Sequence, residues 1–532
     1  MIPVSDVKES IINAYLKFVE KNKKHPTRAD MLNLGYNRDK IRCHFNSQSN
    51  LRKTVKNLYP EAFSKIIDET LFSKKNFDKL KGEVAKYNKF VITTAVNGCE
   101  VDQNFLKSLE TYCKVNKAAL LILPSNDPAH NLDNNYMWNF DPILIDKKIV
   151  FDDLQLNSNL FISSIRVQAK HIDPITGLER VGCRNGSFIF ASPKQRLKYI
   201  PVGNNKHPHA LMTTGAITKP NYKTTKFCSE RTAYLAHEDH IMGGIVVEIV
   251  DNQFYHFRQI QAEKSGAFID LTSKYDGSKI TNVKPEAIVL GDWHTGDTDP
   301  VVAESFYCMV DELQPKYLIV HDIFNGKSVN HHIINNSIKQ AQIAHITLKD
   351  ELDEVGATID ELAHQVEKLI IVKSNHCDFL DRYIFEGRYL NDPKNLQKAL
   401  ELATEMVKGK NPLKFGVESS GQLVAKNVQW LERDESFKVA GVELGNHGDK
   451  GANGAKGTLK GMETSYGNCV IGHHHTAEIL RNAWCVGTCT YLKLDYNKGY
   501  NSNWTNTSCL IFANGAKQLI NIIDGQWRRK DD

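Results

Sequence analysis

Apolar positions along the chain change their spacing twice, and each change marks a different kind of structure. Through residues 1 to about 60, Ile11, Ile12, Tyr15, Leu16 and Val19 recur at the interval of a helix with one buried face. Pro26 interrupts that pattern. Thr27 with Asp30 then has the form of a capping box, opening a second short helix that carries Met31, Leu32 and Leu34. Gly35 offers a turn. A third helix is expected from about Asn37 to Phe45, carrying Arg38, Lys40 and Arg42, and a fourth from Asn50 to Tyr59, stopped by Pro60. Helix, glycine turn and basic helix is the outline of a helix-turn-helix, which sets its second helix in the DNA major groove. A small helical cap with a solvated basic face has the same outline.

From about 75 to 280 the pattern is mixed. Phe90 to Val96 and Ala118 to Leu123 are apolar runs of strand length, and Phe105 to Val115 between them has helical spacing. That is a strand–helix–strand unit with parallel strands. Further strands are expected at Leu160 to Val167, Ser187 to Ala191 and Gly244 to Ile249. The stretch predicts an α/β region without a phosphate-binding glycine loop. His237-Glu238-Asp239-His240 has metal-ligating residue types, but a solvated loop before the Ile241 strand is the simpler reading.

The third regime begins at Ala287. Ala287 to Leu290 is followed by Gly291-Asp292-Trp293-His294, and Tyr317 to Val320 by His321-Asp322-Ile323-Phe324-Asn325. Leu369 to Val372 precedes Ser374-Asn375-His376-Cys377-Asp378, Val439 to Leu444 precedes Gly445-Asn446-His447-Gly448, and Asn468 to Ile471 ends in Gly472-His473-His474-His475. Alone, each cluster reads as a polar turn with a satisfied histidine. Together, five apolar strands each emptying into Asp, Asn or His make coincidence a poor account. Ligand sites of open α/β sheets lie at the carboxyl ends of strands, and imidazole with carboxylate suits manganese, iron or zinc.

Composition narrows the setting. At 532 residues the chain exceeds what one core usually serves, so three regions are expected: helical at 1–62, α/β at 75–280, and catalytic at 285–525. A hydrophobic share of 41% and a net charge of +5 are ordinary for a globular protein, so any basic surface for a polyanion has to be local. The cysteines, 11 in number, are scattered from Cys43 to Cys509, and the Cys485–Cys489 pair lacks the second pair of a structural zinc site. Reduced thiols in a cytoplasmic protein are expected. The charged, amphipathic start predicts no signal peptide, and no apolar run approaches the roughly 18 residues of a membrane span.

The ordered series Asp-x-His, Asp, Asn-His, His, Gly-His-x-His resembles the calcineurin-like metallophosphoesterase superfamily over residues 287 to about 480. The resemblance implies a four-layer α/β sandwich and a pair of divalent ions, manganese foremost, with magnesium, iron or zinc as alternatives. It implies one ion held by Asp292, His294, Asp322 and His475, and a second by Asp322, Asn375, His447 and His473, with Asp322 shared. His376 would then serve the departing oxygen, and His474 would point elsewhere. The sequence departs from the pattern at His321 and Ser374, where glycine is usual, and at Asn325 and Cys377, where acids are common. These departures bear on what supports His376; His331 and His332 are near enough in sequence to compensate.

Length and motif layout as a whole resemble DNA-degrading host-takeover proteins of bacteriophages, which implies a metal-dependent DNase in the infected bacterial cytoplasm, with homo-oligomers as in the superfamily's repair nucleases. Lys450 and Lys456, in a glycine-rich stretch, would form a flexible basic loop toward a DNA backbone, or a solvated surface loop; Trp527-Arg528-Arg529-Lys530 adds a basic end, or a frayed tail. Two other readings stand beside the nuclease. One is a small-molecule phosphodiesterase or nucleotidase; the other is a regulator that binds DNA or a host protein and carries a vestigial metal site.

Overall fold

The computed structural model describes residues 4–22, 25–63, 74–125, 140–203, 207–224, 228–334, 336–495 and 497–529. Its first part is helical, with helices Val4–Asn22, Arg28–Asn33, Arg38–Phe45 and Gln48–Leu58. Thr27 and Asp30 form the expected capping box, and Asn37 caps the third helix. The fourth starts at Gln48 rather than Asn50 because the Ser47 side chain accepts from Asn50 N–H and caps it. Ile11, Tyr15, Val19, Met31, Ile41, Phe45, Leu51 and Val55 make one small core. Leu32 and Leu34 stay exposed, so the second helix contributes a single anchor.

Four sheets follow among the described residues, one of them a three-stranded meander over Phe268–Asp270, Ser273–Asp276 and Lys279–Asn282, and the fold is mixed α/β. The five-stranded sheet has Lys89–Val96 parallel to Ala119–Ser125 across helix Gln103–Val115, as the apolar runs predict. A six-stranded sheet is ordered Val428–Leu431, Lys368–Val372, Tyr317–His321, Ala287–Val289, Thr507–Ile511, Lys517–Asn521, with its first four strands parallel. Its strands alternate apolar side chains between two buried faces. Ile288, Leu318 and Ile371 pack under helices Pro300–Leu313 and Leu348–Ala363. Val289, Ile319 and Ile370 face a core shared with Val470, Ile479 and Trp484 of a ten-stranded sheet.

That larger sheet runs from Lys438–Val439 to Leu154–Asn157 and joins strands from both sides of residue 280: Glu478–Leu480 pairs antiparallel with Arg196–Ile200. Its far face carries helix Leu459–Tyr466, whose Leu459 and Met462 cover Cys469, Ile471 and Cys485.

Several expectations are corrected. The strand expected over Leu160 to Val167 ends at Ser163. Val439 to Leu444 is a hairpin, Lys438–Val439 and Val442–Glu443, because Ala440 and Gly441 turn the chain with φ of 49° and 80°. His237 and Glu238 end a helix, Glu230–Glu238, instead of lying in a loop. Asp239 pairs with Lys194, and His240 is held between the Tyr222 hydroxyl and the Thr218 carbonyl. Nor is the C-terminus frayed as far as Arg529: Trp527 is buried, Arg528 pairs with Glu312, and Arg529 donates to the Ile249 carbonyl. Lys530 lies outside the described residues. The eleven cysteines form no disulfide among the described residues, and seven of them are buried. No helix among the described residues is long and apolar enough to cross a membrane.

Candidate metal centre

Parallel strands Ala287–Val289, Tyr317–His321 and Lys368–Val372 lie side by side, so the turns after them deliver Asp292, Asp322 and Asn375 to one sheet edge. The facing sheet delivers His447, after Val442–Glu443, and His473 with His475, after Cys469–Ile471. The backbone bends sharply to do this. His294, Asp322, His473 and His475 all have positive φ, from 48° to 73°, a conformation that costs non-glycine residues energy and recurs at functional sites.

The result is a buried cluster. Ligand atoms of Asp292, His294, Asp322 and His475 all lie within 4.8 Å of one another, and all four residues are buried. His475 Nε2 is 3.1 Å from Asp292 Oδ2 and 3.1 Å from His294 Nε2, while His294 Nε2 is 3.5 Å from Asp322 Oδ2. Adjoining it, His447 Nε2 lies 3.2 Å from Asp322 Oδ2 and 3.1 Å from Asn375 Oδ1, and His473 Nδ1 is 3.1 Å from that same amide oxygen.

Does this donor set fit a cation? Asp322 Oδ1 and Asp292 Oδ1 are buried with no hydrogen-bond partner. Two imidazole Nε2 atoms also point at each other, where at most one can donate. Converging lone pairs with too few protons between them are unfavourable in a buried site unless a positive charge joins them. A divalent metal on nitrogen and carboxylate donors meets that requirement.

The local field agrees. Burial would raise the Asp322 carboxyl, but His447, His376 and His294 hold it well below the usual carboxylate range. Burial likewise opposes ionised Asp292, and His447 with His475 overcomes it. Burial pushes His294 down to about 3 and, with His447, His473 down to about 4, so both keep a free lone pair at neutral pH. Against burial, Asp322 and Asp292 hold His447 up to about 9, so without a cation it keeps a proton that a metal on its Nε2 would have to displace.

His376 is half-buried beside the cluster, its ring 4.5 Å from that of His294. A carbonyl can only accept, so His376 Nδ1–H donates to Asn325 O at 2.8 Å. The support comes from main chain, which leaves the Asn325 side chain to bind elsewhere. Its Nδ2 donates to Asp297 Oδ2 at 2.6 Å, and Lys327 pairs with the same carboxylate. His331 and His332 do not take up that support. The His331 ring meets those of His332 and Phe379, and Phe379 in turn meets His376.

His321 lies buried under the cluster, 5.6 Å from the His447 ring, with neither ring nitrogen hydrogen-bonded. Cys377 is buried against Ser374. Asp378 binds Arg433, which also binds Asp449, and Asp378 takes Lys450 at 2.7 Å. The loop holding Lys450 and Lys456 is therefore tied rather than loose: the two lysines bridge across it, and Gly457 N–H donates to Asp449 O at 2.8 Å. Both lysines remain exposed, as do Arg38, Lys40 and Arg42 on their helix.

Thr488 and Trp504 also shape the site and had no sequence signal. The Thr488 hydroxyl donates to the Asp292 carbonyl at 2.9 Å, and the Trp504 ring lies edge-on to His475 at 4.2 Å. Neither follows a motif strand, and an isolated Thr or Trp carries no spacing to recognise.

The chain is similar to Protein A1 of Escherichia phage T5, with 27% identity over 474 residues that span 84% of either chain. No protein-family profile matches it. No solved structure matches it either.

Proposed function

We propose that this chain is a metal-dependent DNase that hydrolyses phosphodiesters of DNA in a phage-infected bacterium. The observation that carries the reading is the position of Asp322. Its Oδ2 lies 3.5 Å from His294 and 3.2 Å from His447, so one carboxylate is common to two donor sets. Asp292, His294, Asp322 and His475 would hold one ion; Asp322, Asn375, His447 and His473 would hold the other. Two divalent ions, manganese foremost, would supply Lewis acidity and charge neutralisation to a phosphodiester.

The chain's own groups account for the rest. With Nδ1 committed to the Asn325 carbonyl, His376 has only Nε2 left for the substrate, where it holds a proton for the departing oxygen. Burial of the carboxylates keeps bulk water from screening the charges that face the phosphate. The helix–sheet–sheet–helix layering around the cluster supports a four-layer sandwich as the catalytic unit; its ten-stranded sheet takes strands from 154–213 as well as from 285–525, so part of the 75–280 stretch would be built into that unit, with a helical DNA-gripping unit at 1–62. The exposed Arg38, Lys40 and Arg42 and the likeness to a phage protein favour DNA, and host DNA in particular, as the substrate.

The test uses the full chain with manganese on plasmid DNA and on a chromogenic phosphodiester, with Asp322→Asn in parallel. The proposal expects DNA cleavage that the variant loses together with bound metal. Hydrolysis of the small ester alone would assign a small-molecule phosphodiesterase instead.

A further inference from the structure

A cavity of about 380 Å³ shares a wall with the carboxylate–imidazole cluster without belonging to it. Its size falls within the roughly 300–1,000 Å³ of small-molecule sites. The shared wall is Trp504 and Thr505: Trp504 packs edge-on against His475, and Thr505 N–H donates to the His475 carbonyl at 3.0 Å. Phe254 and Trp504 stand half-buried in the lining, and Tyr199 and Asn521 are buried in it. Tyr199 belongs to the ten-stranded sheet and Asn521 to the last strand of the six-stranded one, so the cavity is built where the two sheets meet.

Its polar groups are arranged in one direction. The Tyr199 hydroxyl donates to Asn521 Oδ1 at 3.1 Å and the Thr507 hydroxyl to the same oxygen at 2.7 Å. Both contacts fall on the oxygen, leaving the amide nitrogen to find an acceptor elsewhere. Asn521 is 5% exposed, and its Nδ2 has no hydrogen-bond partner. Native interiors seldom leave such a donor unmet, so this wall of the cavity carries an amide with spare donating capacity. The described lining contains no Asp, Glu, Lys or Arg. Its two histidines offer no fixed counter-charge, since burial pushes His207 down and the Gly182 carbonyl holds His209 Nδ1; a flat neutral ring with carbonyl or ring-nitrogen acceptors matches the aromatic walls.

We infer that this cavity receives a purine or pyrimidine base. The base comes either from the DNA strand whose phosphodiester lies at the metal cluster, which rests on the nuclease reading, or from a free nucleotide, which does not. Trp504 would then stand between the base and the cluster, leaving the nucleotide's phosphate on the metal side.

Binding is measured on the full chain in a chelating buffer, so that cleavage plays no part. The probes are the four deoxynucleoside monophosphates, inorganic phosphate, and single-stranded oligonucleotides with and without one abasic position. A base in the cavity predicts a roughly tenfold preference for the intact oligonucleotide, or for a monophosphate over phosphate. The first result assigns the strand and the second the free nucleotide. Phe254→Leu, at a half-buried position, and the milder Tyr199→Phe should each weaken that preference while thermal unfolding stays cooperative. Equal binding of intact and abasic DNA together with no monophosphate binding overturns the inference, as does a base preference that both folded variants retain. Base binding by a chain that never cleaves DNA with manganese would sink only the nuclease reading; cleavage without base preference would sink only the cavity's assignment.

Discussion

Gly472 and Asp292 are packed so closely that a Cβ on the glycine would overlap Asp292 Oδ1 and come within 3.0 Å of the His321 ring. The glycine of the Gly-His-x-His turn is thus a condition for placing a carboxylate of the cluster, and not merely a flexible hinge. His473 next to it reaches Asn375 Oδ1 only because the turn stays this tight.

Gly472→Ala should therefore displace the Asp292 carboxylate or the turn itself. Manganese affinity, measured by calorimetry on the metal-stripped chain, is expected to fall by roughly tenfold or more. Unchanged affinity would mean that Asp292 is not among the ligands.

His376→Gln tests the proton role separately from metal binding. The side chain touches neither set of proposed ligands by hydrogen bond, and its anchor is the Asn325 carbonyl. Metal content should stay at the unmodified level while turnover on DNA drops by roughly 10²–10⁴-fold. If DNA cleavage persists at its original rate, the histidine is not the general acid; if the chain never cleaves DNA yet still binds it, the regulator reading gains.

Charge reversal on the third helix addresses DNA binding. Arg38, Lys40 and Arg42 are exposed while Ile41 and Phe45 anchor the helix, so changing all three to Glu leaves its buried face intact. Anisotropy with duplex DNA should show weaker binding and a salt slope shallower by roughly 0.9 for each phosphate no longer neutralised. An identical slope would return this segment to a plain helical cap.

Acid stability should carry the mark of two histidines outside the metal cluster. Burial pushes His240 down to about 4, and burial with Arg258 does the same to His256. In both, the unfolded chain binds protons that the folded chain refuses, so folding stability is full above about pH 6.5 and declines as pH falls toward 4. Each contributes up to roughly 1.4 kcal/mol per pH unit in that window. Urea unfolding at successive pH values should show the decline, with a smaller slope in His240→Gln; equal slopes would contradict the assignment.

Much of the fold was readable where chemistry is local. The Thr27–Asp30 capping box, the strand–helix–strand unit at 89–125 and the apolar strands before Asp292, Asp322 and Asn375 depend on neighbours a few residues away. Errors fell where a turn interrupted an apolar run, as at Ala440-Gly441, or where a polar run was claimed by a helix, as at His237-Glu238. In both, backbone conformation overrode a pattern of side-chain polarity.

By itself, the order of residues determined where Asp, Asn and His gather and that each group follows a strand. The three-dimensional packing alone decided that Asp322 faces both His294 and His447, that main chain instead of a side chain holds His376, and that Trp504 divides the cluster from a cavity. Spacing along a chain encodes contacts within one turn or strand. Which of two sheets a strand joins, and what its terminal loop then meets, depends on long-range burial that no short window contains.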